Sequence, residues 1–285
     1  MKKIIVATSG YYGRAILRKY ASNKDFRIIG IVDNNKKISG TSFWGHKVFS
    51  PDEILKFDFD YIFIGGRDYE TISQALINDL NIPAKKIIRL SKSHLQMSAI
   101  DISQREIDTQ HILRVVVEQL RKNNIDYWLD FSGLLAFARN QKMAEFSDVE
   151  LSILDKDLKE VYLILRKLLP NHIIENLYSK NDSLLFEANS IIGIGIYPYL
   201  SSSHQSESIE PANITLVSKK IENPYCYWLD IFGNIKQYPS KFFLTSNQVE
   251  YESIKLNVPY NFESYLEELY GCDWKIPADY WTGTN

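Results

Sequence analysis

Apolar and polar positions follow two different periods along this chain, and the change of period divides it. Up to about residue 90, short continuous apolar runs alternate with helix-spaced segments. KKIIVAT (2–8), FRIIGIVD (26–33), DYIFIGG (60–66) and KKIIRL (85–90) read as four buried strands. Ala15, Ile16, Leu17 and Tyr20 mark a helix after the first strand, and Tyr69 to Leu80 a helix between the last two. Buried strands separated by helices predict a parallel α/β sheet over residues 1–95. A connection is expected from about Ser91 to Asp101, then a long helix from about Ile102 to Asn123. Strands and helices follow in α+β style, giving a second domain over 102–285. The polar run Ser201 to Ser208 reads as an exposed loop.

Composition narrows the classes. The chain has 285 residues, 45% hydrophobic and 24% charged, an ordinary globular balance long enough for two domains. A formal net charge of −2 leaves no footprint for nonspecific nucleic-acid binding. The two cysteines, Cys226 and Cys272, suit a reducing cytoplasm and not a disulfide scaffold. MKKIIVATSG reads as a first strand, not a signal peptide, and there is no apolar run long enough for a membrane span. The five histidines are scattered without zinc-ligand spacing, and no GxSxG motif occurs.

In the first domain, TSGYYGR follows a strand and opens a helix. It resembles part of the Rossmann fingerprint G-x-G-x-x-G, in which backbone approaches a pyrophosphate at a helix start. Gly10 and Gly13 fall at the second and third glycines, Thr8 at the first, and Asp33 ends the next strand where an acid can take a ribose hydroxyl. A nucleotide held by Gly10, Gly13 and Asp33 is one reading. A tight strand-to-helix turn without ligand is the other. The domain resembles the small Rossmann-like modules fused to sugar- and polysaccharide-modifying enzymes.

The second domain carries the acidic motifs. In FSDVELSIL (146–154), Asp148 and Glu150 alternate with Val149 and Leu151, so a strand puts both carboxylates on one face. Upstream, YWLDF leads into the Ser132–Gly133 turn and a helix; downstream, Asp230 sits in YWLDIFGN. This is the logic of a nucleotidyltransferase site. Ser132 and amides at the helix start would hold phosphate oxygens, and Asp148, Glu150 and Asp230 would hold Mg²⁺ or Mn²⁺. As solvated surface, the same acids would need no ligand.

These motifs resemble the LicD family, which includes bacterial phosphocholine transferases and the fukutin-related proteins. WLDFSGLLAFAR is similar to its fLdgGTLLGavR, FSDVEL to the end of its PWDDDIDI, WLDIFG to its DIF motif, and NVPYNFESYLEELYGCDWKIP to its C-terminal motif. The resemblance spans about Ile102 to Trp281. It implies a nucleotidyltransferase-like fold and a metal-dependent phosphotransferase that moves a phosphoalcohol from a CDP-activated donor to a glycan hydroxyl, in the cytoplasm or peripherally at membrane-bound precursors. Arg139 falls at a family arginine and becomes a candidate phosphate contact. Phe146 and Ser147 stand where the family places its first two acids. That departure raises an alternative: a catalytically degenerate member that binds a sugar nucleotide or a partner enzyme. A third reading, NAD(P)-dependent sugar modification in the first domain, is opposed by Thr8. Tyr270, Gly271, Trp274 and Pro277 are expected to pack the C-terminal segment, and Asp130 to be structural.

Overall fold

The computed structural model describes residues 1–285 except 22, 37, 44, 67, 98, 147, 181–184, 187–188, 199–211, 231–232 and 278–285. The chain forms two compact units, one comprising residues 1–97 and the other, as described, residues 99–276 apart from the loop exceptions above. Ser201–Ser208 lies outside the described residues.

The first unit runs β1 (Lys2–Ala7), α1 (Tyr11–Tyr20), β2 (Phe26–Val32), β3 (Ser42–Phe43), β4 (His46–Phe49), β5 (Tyr61–Ile64), α2 (Tyr69–Asn78), β6 (Ile87–Arg89) and α3 (Lys92–Leu95). Its sheet has the order β3-β4-β2-β1-β5-β6, parallel throughout except for the β3–β4 hairpin. Strand β1 shows why the sheet is buried on both sides. Ile4 and Val6 join a cluster with Ala15, Ile16 and Leu17 of α1, whereas Ile5 and Ala7 join one with Leu76 of α2. The four strands read from the sequence are present. The short pair β3 and β4 is additional: two and four residues are too few to leave a period.

The second unit runs α4 (Ala99–Lys122), β7 (Tyr127–Asp130), α5 (Phe131–Ala138), β8 (Asp148–Leu154), α6 (Leu158–Leu168), β9 (His172–Lys180), β10 (Asn189–Pro198), β11 (Asn213–Glu222), β12 (Tyr225–Leu229), β13 (Ile235–Pro239), β14 (Ser246–Tyr251), β15 (Ile254–Pro259) and α7 (Phe262–Tyr270). Helix α4 begins three residues before the expected start, because the polar segment from Ala99 carries no apolar stripe strong enough to mark it. It buries Ile112, Leu113, Val116, Val117 and Leu120 in the main core. The sheet has the path β13-β12-β11-β10-β9, with β8 beside β11 and β7 beside β8. The fold is therefore α/β overall: a parallel sheet followed by an α+β unit built on a mixed sheet.

The register around β8 positions the acidic motif. β7 is antiparallel to β8, with Asp130 opposite Glu150 and Trp128 opposite Ser152. β11 runs parallel to β8 on its other side, with Asn213 opposite Asp148 and Thr215 opposite Glu150.

Candidate functional site

The alternation read from FSDVELSIL holds. Val149, Leu151 and Ile153 are fully buried in the core, and Asp148 and Glu150 are partly buried on the opposite face. Between β7 and β8 the chain turns directly into α5, with Asp130 as N-cap. Phe131 takes a φ of 42° there. Such left-handed backbone costs a non-glycine residue roughly 1 kcal/mol, and packing of its ring against Trp228, centroids 4.9 Å apart, helps hold it.

Ser132 is the hinge of the site. Its amide donates to Glu150 Oε2 at 3.1 Å, and its hydroxyl lies in hydrogen-bond contact with both that same oxygen and the Asp148 carbonyl, the latter at 2.6 Å. The single hydroxyl proton is shared between these two acceptors. Burial, then the neighbouring Asp148, push the Glu150 carboxyl from 4.5 up to about 8, against the pull of the Ser132 hydrogen bonds. Asp148 Oδ1 meanwhile accepts from Asn213 Nδ2 at 3.0 Å.

On the same face, opposite Glu150, lies Asp130, fully buried. Its Oδ1 accepts from the Phe131 amide and the Tyr265 hydroxyl, both at 2.8 Å. Its Oδ2 accepts from the Ser152 hydroxyl and pairs with Lys219 Nζ at 2.9 Å. All four acceptor positions of the carboxylate are thus engaged, in line with the expected structural role. Burial and Asp130 hold the Tyr265 phenol well above its ordinary range.

Several expected roles are corrected. The amides at the start of α5 do not point to open space for a phosphate: those of Phe131 and Ser132 cap onto Asp130 and Glu150. Gly133 is a packing residue, since a Cβ there would lie 2.8 Å from Leu129 and 3.0 Å from Val149. Arg139 caps the far end of α5 and donates through Nε to the Trp274 carbonyl at 2.7 Å and through Nη2 to that of Ile276 at 3.3 Å. It therefore fastens the C-terminal segment, where Trp274 is buried. Asp230 follows β12 and turns onto Asn234, taking its amide at 2.9 Å and its side chain at 3.0 Å. The strands beside the acid pair are β7 and β11, not β12: β11 offers Asn213 and Thr215, and β7 offers Asp130, which is paired with Lys219. Among the described residues, no three acidic, histidine or cysteine side chains converge as metal ligands. Asp148 and Glu150 lie side by side on β8, and Asp230 is engaged in its own turn. Ser147 lies outside the described residues.

In the first unit, Asp33 closes the loop after β1. Its Oδ2 accepts from the Ser9 amide and hydroxyl at 2.9 and 2.7 Å, and its Oδ1 from the Asn35 amide at 2.9 Å. Gly13 permits close approach, because a Cβ there would meet the Thr8 carbonyl oxygen at 1.5 Å; Gly10 meets no such wall. These contacts shape the turn between β1 and α1.

Sequence reasoning missed Lys219, Tyr265 and Asn213, and also the α4 residues that fix the strand entries. Arg105, 2% exposed, donates to the Ala144 and Phe146 carbonyls. Glu106 accepts from the Ala144 amide at 2.8 Å, and the Thr109 hydroxyl accepts from the Ala212 amide at 2.9 Å. Together they pin the chain just before Asp148 and Asn213. Their spacing, i, i+1 and i+4 within a polar-looking stretch, gave no sign of burial.

A family model described as C2185-like, N-terminal, matches residues 1–88. No curated protein matches the sequence. Among solved structures, the lincosamide antibiotic adenylyltransferase LnuA aligns with 60% of this chain and 85% of its own, at 9% identity and a TM-score of 0.34. A myo-inositol dehydrogenase from Corynebacterium glutamicum aligns with 96% of this chain and 85% of its own, at 13% identity and a TM-score of 0.25. These scores are too low to define a shared fold, and the functional reading rests on the site's own residues.

Proposed function

We propose that the second unit is a LicD-like phosphotransferase domain that moves a phosphoalcohol from a CDP-activated donor to a glycan hydroxyl, with Asp148 and Glu150 at the reacting centre. One arrangement carries the reading: the strand–turn–helix–strand of β7, α5 and β8 joins Ser132 to Glu150 by hydrogen bonds, on the face that also holds Asp148. Glu150 is the group suited to proton transfer, since a carboxyl near 8 exchanges its proton close to neutral pH. In the step proposed, the acceptor oxygen forms a bond to the distal phosphorus, the bond from that phosphorus to the CMP oxygen breaks, and CMP leaves with the electron pair. The acceptor proton passes to ionised Glu150, so turnover should rise with pH up to about 8.

A second reading is favoured by Asn213 and Thr215 standing opposite the acid pair: a domain that keeps the transferase architecture and binds a donor or a partner enzyme without turnover. One experiment separates the two. CMP release from CDP-choline and CDP-ribitol would be followed with Mg²⁺ or Mn²⁺ supplied and a glycan acceptor present, for the wild type, Asp148→Asn and Glu150→Gln. Release lost in both variants supports the transferase. Donor binding without release, unchanged in the variants, supports the second reading and refutes the first.

A further inference from the structure

The Lys219 ammonium sits in a chamber with no solvent access. Five aromatic rings surround it: Phe131 at 4.6 Å, Phe243 at 4.7 Å, Tyr265 at 5.7 Å, Trp228 at 5.9 Å and Tyr238 at 6.0 Å. Nζ donates to the Tyr265 hydroxyl at 3.2 Å and pairs with Asp130 Oδ2 at 2.9 Å, and both partners of that ion pair are 0% exposed. A buried lysine needs a carboxylate to offset its lost hydration. It does not need five ring faces. Rings converging on one positive charge, closed at one end by a carboxylate, are how proteins recognise organic ammonium ions.

We propose that this chamber is a receptor for a small organic ammonium ion, filled from within by the side chain of Lys219. The cage draws on β11, β12, β13, α5, α7 and the Phe243 turn, so it is assembled by the tertiary fold and not by any one segment. Lys219 enters it from β11, the strand that also supplies Asn213 to Asp148. If the transferase reading above holds, the consequence concerns the donor: a cationic alcohol such as choline finds this chamber occupied, and its ammonium must lie elsewhere.

Cutting Lys219 back to Cβ removes the equivalent of n-propylammonium. The test is thermal melting of the full chain carrying Lys219→Ala, with n-propylammonium chloride, with sodium chloride at equal ionic strength, and with 1-propanol at equal concentration. The expected result is an upward, saturable Tm shift by propylammonium in Lys219→Ala, absent from the wild type and from Asp130→Asn/Lys219→Ala. Equal rescue by propanol would reveal an apolar cavity, and equal rescue by sodium chloride a surface-charge effect; either overturns the proposal, as does no rescue of a folded variant. Should Lys219→Ala fail to fold, NMR of the wild type decides. One lysine ε-methylene must be shifted upfield by the rings, with ammonium protons shielded from exchange; lysine signals all at solvent-exposed positions would overturn the proposal. These readouts are stability and spectra, so they stand apart from whether CMP is released.

Discussion

Replacing Glu150 by Gln should flatten the dependence of stability on pH. The Glu150 carboxyl moves from 4.5 to about 8 on folding. Between those values the folded chain binds a proton that the unfolded chain has released, so unfolding free energy falls as pH rises through this window and levels off above about 8. The full displacement corresponds to at most roughly 5 kcal/mol. Glu150 retains some solvent exposure, and solvent screening reduces the expected loss to about 2 kcal/mol. Glutamine carries no charge at any pH, and its carbonyl oxygen can accept from the Ser132 amide and hydroxyl as Glu150 Oε2 does. The assay is guanidinium unfolding from about pH 5 to pH 9, read by tryptophan fluorescence; Trp128, Trp228 and Trp274 all lie in the second unit. His46 and His172, both lowered by burial, give the opposite slope near their own titration, so the variant must be compared with the wild type at each pH. Parallel curves for wild type and Glu150→Gln would refute the retained proton.

Three further outcomes follow from the same contacts. Lys219→Met alone leaves Asp130 buried without its cation and should cost about 3–5 kcal/mol, whereas adding Asp130→Asn should recover part of it; thermal melts showing simple additivity would contradict a coupled pair. Gly13→Ala drives a Cβ into the Thr8 carbonyl and should unfold the first unit while sparing the second, so limited proteolysis should leave a stable fragment starting near residue 98. Arg139→Gln should release the segment after Trp274 to protease while leaving CMP release unchanged; a loss of turnover with an intact C-terminal segment would return Arg139 to the reaction centre.

Much of the fold was legible because it rests on local periods. The runs around Ile4, Ile28 and Ile62 are apolar on both faces and so mark buried parallel strands, and the alternation at Asp148, Val149 and Glu150 gave the faces of β8 directly. The partners were not legible, because they are set by register between segments far apart in the chain. Asp230 sits in a strand-like run and looked like a third acid. Yet β11 is the strand that lies along β8, and a strand's neighbours leave no trace in its own sequence. Lys219 was hidden for a related reason. Within NITLVSKKIE it stands between Ser218 and Lys220 and so reads as part of a solvated polar stretch, and only the closure of five rings from other elements reveals that it faces inward.

Charge arithmetic on the acidic face connects these findings. Asp130, Asp148 and Glu150 bring three carboxyl groups to adjacent strands, and in a partly desolvated setting three like charges cannot persist together. The fold disposes of them in three different ways. Lys219 neutralises Asp130 within the ring cage, a proton neutralises Glu150, and Asn213 donates to Asp148. Glu150 then gains its negative charge beside Asp148 as pH approaches about 8. A ligand that approaches near neutral pH therefore meets Asp148 beside a Glu150 carboxyl that still holds its proton, with Ser132 bonded to that carboxyl and to the Asp148 backbone carbonyl. Such a pair is suited to exchanging a proton with an incoming hydroxyl, and this is why Glu150, the member able to change charge, is the more informative residue to mutate.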